Sequence, residues 1–239
     1  MQKSTVSPYK RHTGTQTIER EPIMLIGEMC LLIASVLILI GSAKGITARL
    51  YVNDYIAVFS IFVIVLSNVR GGIAITENYR LFIGGVLSVL LAAYCLIKRS
   101  DTSGDILIAL FSALVTAGIV FVYFLQFSAE KTDIKLIILL STLPVAVWSA
   151  LSARRTFASC LFSALVGSFV GITLYQISIL QRGDIGGGYS FAVMWVATLL
   201  GLVLQYLFTF LLRATKDPRA NSYFEAGEMV ENSDEKKEN

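Results

Sequence analysis

Glu28 is the only acid inside any of the long apolar runs of this sequence. Leaving an ionisable group in lipid is costly, so a carboxylate there reads first as a proton or cation site. Against that stands its depth. It lies five residues past Ile23, where the run begins. At ~1.5 Å per helical residue that is about 7–8 Å, within snorkelling reach of the headgroups. A second polar group, Asn68, Arg70, Glu77 and Arg80, surrounds Gly71-Gly72. Arginines in such a loop can hold an anionic headgroup or a phosphate. The plainer expectation is an interfacial turn anchored by snorkelling arginines. The third group is Arg182-Gly183-Asp184-Ile185-Gly186-Gly187-Gly188-Tyr189. Consecutive glycines let a turn aim its amides at an anion when a helix follows. No phosphate-loop lysine follows here, so a hairpin into the next helix is the plainer expectation. Gln126, Gln176 and Gln205 lie inside or near the ends of apolar runs. Interhelical hydrogen bonds worth ~0.6 kcal/mol on average explain such amides without a substrate.

Other chemistry is missing. The only histidine, His12, is in the polar N-terminal stretch, and Cys30, Cys95 and Cys160 are scattered through apolar runs. Neither metal-ligand nor redox spacing is present. There is no Ser/His/Asp set and no intramembrane carboxylate pair. The expectation is therefore no catalytic residue, no metal and no cofactor, and a chain that is not an enzyme.

The elements that must position these residues follow from composition. Apolar residues make up 55% of the 239 and charged residues 15%, against roughly 25% charged in a soluble domain. Mean hydropathy is +0.68. The charges cluster between apolar runs, and spanning a bilayer core takes ~20 apolar helical residues. The sequence predicts an all-α, polytopic transmembrane helix bundle with spans near 23–43, 55–69, 81–97, 106–127, 134–150, 157–180 and 190–212. A polar N-terminal tail, 1–22, and an acidic C-terminal tail, 213–239, are expected to be disordered. No basic patch has the density of a nucleic-acid surface.

Seven spans place nine Lys and Arg on each side near the membrane, so the positive-inside rule gives no orientation. Six spans, with 44–80 not crossing, place eleven against seven and put both termini in the cytoplasm. Ile56 to Leu66 is too apolar to stay out of the bilayer comfortably, and fifteen residues can span a thinned one. Seven spans is the reading preferred.

Small residues spaced by four let membrane helices approach closely. Ser159, Ser163, Gly167 and Gly171 follow that spacing, as do Gly84, Ser88 and Ala92, and Ala109, Ala113 and Ala117. The Gly167–Gly171 face reads as intramolecular packing, with a dimer seam as the alternative.

Asn78-Tyr79-Arg80 followed by Gly84-Gly85-Val86-Leu87, the small-residue run with Gly167 and Gly171, and Asp184-Ile185-Gly186-Gly187-Gly188-Tyr189-Ser190-Phe191 together resemble the YphA-like multi-pass membrane proteins of Bacillus-type bacteria. The resemblance covers about residues 60–212. It implies a bacterial plasma-membrane location and no known activity. The expected role is a structural or accessory component of a cell-membrane complex, with membrane-protein partners or a second copy. The alternative is a small transporter or channel-like protein.

Overall fold

The computed structural model describes residues 24–42, 44–50, 52–99, 103–129, 134–152, 156–181 and 183–216. The chain runs α1 (Met24–Leu39), a short α2 (Lys44–Arg49), α3 (Asp54–Val69), β1 (Ile73–Ala74), β2 (Tyr79–Leu81) and α4 (Ile83–Arg99). It continues with α5 (Ser103–Ala129), α6 (Ile134–Ser152), α7 (Phe157–Tyr175), β3 (Gly183–Ile185) and α8 (Gly188–Lys216). A π-helical turn, Gln176–Leu180, extends α7. Local chemistry sets several of these starts. The Asn53 side chain accepts from the Tyr55 amide at the head of α3, and Thr156 Oγ1 accepts from the Ser159 amide at the head of α7. Each satisfies an amide that has no partner in the first helical turn.

Neighbouring contacts fix how the helices run. Glu28, near the start of α1, meets Asn68 at the end of α3. Gly84, at the start of α4, lies against Ile64 and Asn68. Trp195 of α8 reaches Ser88 of α4, and Gln176 at the end of α7 reaches Ser190 at the start of α8. One end of the bundle therefore carries the start of α1, the strands and the 183–187 turn. We call it the sheet end, and the opposite end, with α2, the α2 end.

α7 is the central helix, with both faces buried along most of its length. That all-round burial matches its all-round apolar sequence. It lies against α5 through the small-residue register. A Cβ on Gly167 would fall 2.4 Å from Thr116 Cβ, and one on Gly171 would fall 2.6 Å from the Ala117 carbonyl oxygen. Ala109, Ala113 and Ala117 are all buried on α5.

Among the described residues, three helical stretches are long and apolar enough to cross a membrane: Ser103–Phe127, Phe157–Leu180 and Gly188–Phe210. Leu25–Leu39, Asp54–Val69 and Leu140–Ser152 are apolar and shorter. The chain is thus a mostly helical protein with segments that suit a bilayer.

Three features differ from the sequence reading. The fold is not purely helical, because β1, β2 and β3 form a small sheet. β1 pairs antiparallel with β2, and β2 pairs parallel with β3 in the register Arg80↔Asp184. The segment from Lys44 forms the helix α2. α8 continues through Lys216, so residues 213–216 are helical and do not belong to a disordered tail. Residues 1–22 and 217–239, the rest of the two expected tails, lie outside the described residues.

Candidate functional site

The sheet end gathers most of the candidate polar residues, in two separate clusters. The first joins Glu28 and Asn68 across 40 residues of sequence: Asn68 Nδ2 donates to Glu28 Oε1 at 2.7 Å. Both side chains are buried, at 6% and 4% exposure. A snorkelling carboxylate would be exposed, and this one is not. Asn68 Oδ1 has no hydrogen-bond partner among the described residues. The approach depends on glycine: a Cβ at Gly84 would sit 2.9 Å from Asn68 Cβ, and one at Gly27 would sit 2.9 Å from Ala192 Cα. Chemically the pair is a carboxylate held by one amide donor, with an amide oxygen beside it left unpaired.

The second cluster is built on Gln176, which is fully buried in the π-helical turn. Its Nε2 reaches Tyr189 Oη at 2.8 Å, Ser190 Oγ at 3.2 Å and the Asp184 carbonyl at 3.4 Å. The extra residue of a π turn shifts side chains out of the α register, and such turns recur at functional sites. Here it aims Gln176 into the 183–190 turn. The triple glycine is not a loose hairpin. Gly186 (φ +72°) and Gly188 (φ +55°) adopt left-handed backbone, and Gly187 lies under the Phe82 ring. A Cβ on Gly85 would sit 2.3 Å from the Gly186 oxygen. The Gly187 amide is spent on the Asp184 carbonyl, at 3.3 Å, and the Ser190 amide on Gly187, at 3.1 Å. These amides are not free to receive an anion.

Asp184 is half-buried in β3. Burial pushes its carboxyl above the ordinary range, and the nearby Arg80 guanidinium offsets part of that. Desolvation disfavours the charged form, and a neighbouring cation favours it.

The remaining candidates stand apart. Arg70 ends α3 with its amide on Leu66 and Asn68 carbonyls, and its side chain is exposed. Gln126 is exposed on α5. Gly84, Gly167 and Gly171 are packing positions within this chain. The six polar candidates therefore do not converge: Glu28 pairs with Asn68, Gln176 pairs with the Asp184 backbone, and Arg70 and Gln126 join neither.

Two groupings had no clear sequence signal. Ser112 Oγ lies 2.5 Å from Ser152 Oγ and 2.6 Å from Ser163 Oγ, and Thr116 Oγ1 lies 3.0 Å from Ser163 Oγ. This buried hydroxyl cluster ties α5, α6 and α7 together. Only the Ser163 register was legible, because the partner hydroxyls lie 40 or more residues away. The other is the outer face of α5. Leu107, Phe111, Leu114, Val122 and Leu125 are exposed on it, and Gly118 in its middle meets nothing within 4 Å.

No family model, no curated protein and no solved structure matches this chain. Function must therefore be argued from these groups alone. Among the described residues no cluster of three or more His, Cys, Asp or Glu could hold a metal.

Proposed function

We propose that this chain crosses a bacterial cell membrane seven times and serves as a structural or accessory component of a membrane complex. Among the described residues, seven helices longer than fifteen residues alternate in direction through the bundle, which supports seven crossings with termini on opposite sides. The YphA-like resemblance supports the bacterial plasma membrane and adds no activity.

The observation that carries the accessory role is the outer face of α5. Membrane helices associate by close approach at small residues and by interhelical hydrogen bonds. Gly118 leaves a notch in an apolar face, and Gln126, about two turns on, presents an exposed amide beside it. Inside the chain, glycines and buried amides meet a neighbouring helix. Here a Cβ on Gly118 would meet none of the described residues within 4 Å, and Gln126 is exposed. The partner is a transmembrane helix, either of another protein or of a second copy.

A transporter needs polar side chains facing one path. Glu28–Asn68, the Gln176 cluster and the hydroxyl cluster lie apart and share no path, and a cavity between α1 and α8 is lined almost wholly by apolar side chains. No observation favours that second reading.

The test is cross-linking in native membranes from Leu114→Cys. The proposal expects a discrete cross-linked species that weakens on Gly118→Leu and on Gln126→Ala. Cross-linking no greater than from an exposed α3 position, Phe62→Cys, would refute it.

A further inference from the structure

A cavity of about 310 Å³ opens between α1 and α8, with walls completed by α2, α3, α4 and α7. Cys30, Ala34 and Ile38 form one wall and Leu199 and Leu202 the facing one, with Ala57 beneath. Its polar side chains are already committed. Thr47 Oγ1 donates to Asp54 Oδ1 at 2.5 Å, and Trp195 Nε1 donates to Ser88 Oγ at 3.0 Å. Water needs two to four polar partners, so an apolar cavity of this kind does not hold it. Unfilled, its walls would lack dispersion contacts. The volume is at the small end of ligand sites, which span about 300–1,000 Å³.

The cavity has a closed end and a capped end. Toward the sheet end, α1 and α8 touch through Gly27 and Ala192. Further along they line opposite walls, and Ile33 (58%), Leu37 (44%) and Val203 (49%) are exposed at the rim. That rim faces where bilayer hydrocarbon would lie. The α2 end carries a cation. The Arg49 guanidinium sits 5.0 Å from the Phe157 ring centroid and 5.4 Å from that of Tyr206. Phe157 is one turn beyond the lining residue Leu161, and Tyr206 one turn beyond Leu202 and Val203, both toward the α2 end. Arg49, the last residue of α2, lies between the lining residues Thr47 and Leu50. α7 and α8 thus carry the two rings that Arg49 covers about one turn, ~5.4 Å, past the cavity, and α2 brings Arg49 to that edge of it. No carboxylate forms a salt bridge with it among the described residues.

We propose that this cavity holds one acyl chain of an anionic bilayer phospholipid, whose phosphate sits at Arg49. A chain moving from bilayer to cavity stays in an apolar medium, so hydrophobic transfer gives little discrimination. Wall contacts retain the chain, and the guanidinium selects a phosphate headgroup that carries no cation of its own, since the choline ammonium of a zwitterionic lipid is repelled by Arg49. A guanidinium matches phosphate geometry and has a weak hydration shell to shed.

The test is native mass spectrometry of the full chain with phosphatidylglycerol and phosphatidylcholine of identical chains. The proposal expects one retained lipid and a preference for phosphatidylglycerol. Arg49→Gln should reduce that preference by about five-fold, the value of one basic residue near an anionic surface. Ala34→Phe and Leu199→Trp fill the cavity from opposite walls, and whichever keeps the wild-type melting behaviour should lose the retained lipid. Should neither fold, Arg49→Gln, which leaves the cavity walls intact, decides alone. Equal retention of both lipids by wild type, an unchanged preference in Arg49→Gln, or undiminished lipid in a folded filling variant would each overturn the proposal. A chain that retains no lipid, as monomer or dimer, would overturn it too.

Discussion

Gly167→Ala tests how the centre of the bundle is held, and Gly118→Ala supplies its control. Both glycines lie well inside long apolar helices, so the propensity gain of ~1 kcal/mol from alanine is common to the two. The surroundings differ. The Gly167 methyl would meet Thr116 Cβ at 2.4 Å, Thr116 Cγ2 at 2.6 Å and the Ala113 oxygen at 2.7 Å. Carbon atoms at rest stand ~3.5–4.0 Å apart, so α5 and α7 must separate by more than about 1 Å. Thr116 cannot rotate away freely. It is β-branched, and its hydroxyl bonds the Ser112 carbonyl at 2.9 Å and lies 3.0 Å from Ser163 Oγ. Separation also strains the Ser112–Ser163 contact. Overpacking costs ~1–3 kcal/mol, and a backbone oxygen in the clash points to the upper end. The Gly118 methyl would meet nothing within 4 Å among the described residues. Gly167→Ala should therefore be about 3 kcal/mol less stable than Gly118→Ala in reversible detergent unfolding. Equal stability of the two would refute this packing and reopen the Gly167 face as an outward seam.

Asn68→Ala should destabilise the fold by about 1–3 kcal/mol, because it leaves the buried Glu28 carboxyl without its donor. Glu28→Gln keeps an acceptor for Asn68 Nδ2 and should cost less than half as much; the same unfolding assay ranks them, and the reverse order would contradict the pairing. Asp184 has a folded-state pKa raised above its unfolded value, so the folded chain binds the proton more tightly. Its contribution is most favourable below the ordinary carboxylate range and fades as pH rises through the folded value. Asp184→Asn should flatten that part of the stability–pH curve, and an unchanged slope in the variant would contradict it.

Local signals in the sequence go far toward the helices and stop at their pairings. Ser163, Gly167 and Gly171 are legible as a packing face because their spacing of four is written in consecutive turns. Glu28 and Asn68 are each conspicuous as polar residues in or beside apolar runs, yet nothing local joins positions 40 apart. The sheet is hidden more deeply. Its strands are two or three residues long, too short for a period-2 pattern to register. Arg80 meets Asp184 only because α4 through α7 return the chain to the same end of the bundle. Gly118 escapes the spacing rule because Ala109, Ala113 and Ala117 mark the opposite, buried face of α5. α2 is too short to show an apolar period.

The most direct test of the seven-span account is topology mapping with reporters fused after residues 50 and 75. Position 50 directly follows α2, and position 75 lies beside the strands at the other end of the bundle. The account predicts that the two reporters face opposite compartments and that a reporter after residue 239 shares the side of the one at 50. Reporters at 50 and 75 on the same side would mean that α3 does not cross, and would contradict it.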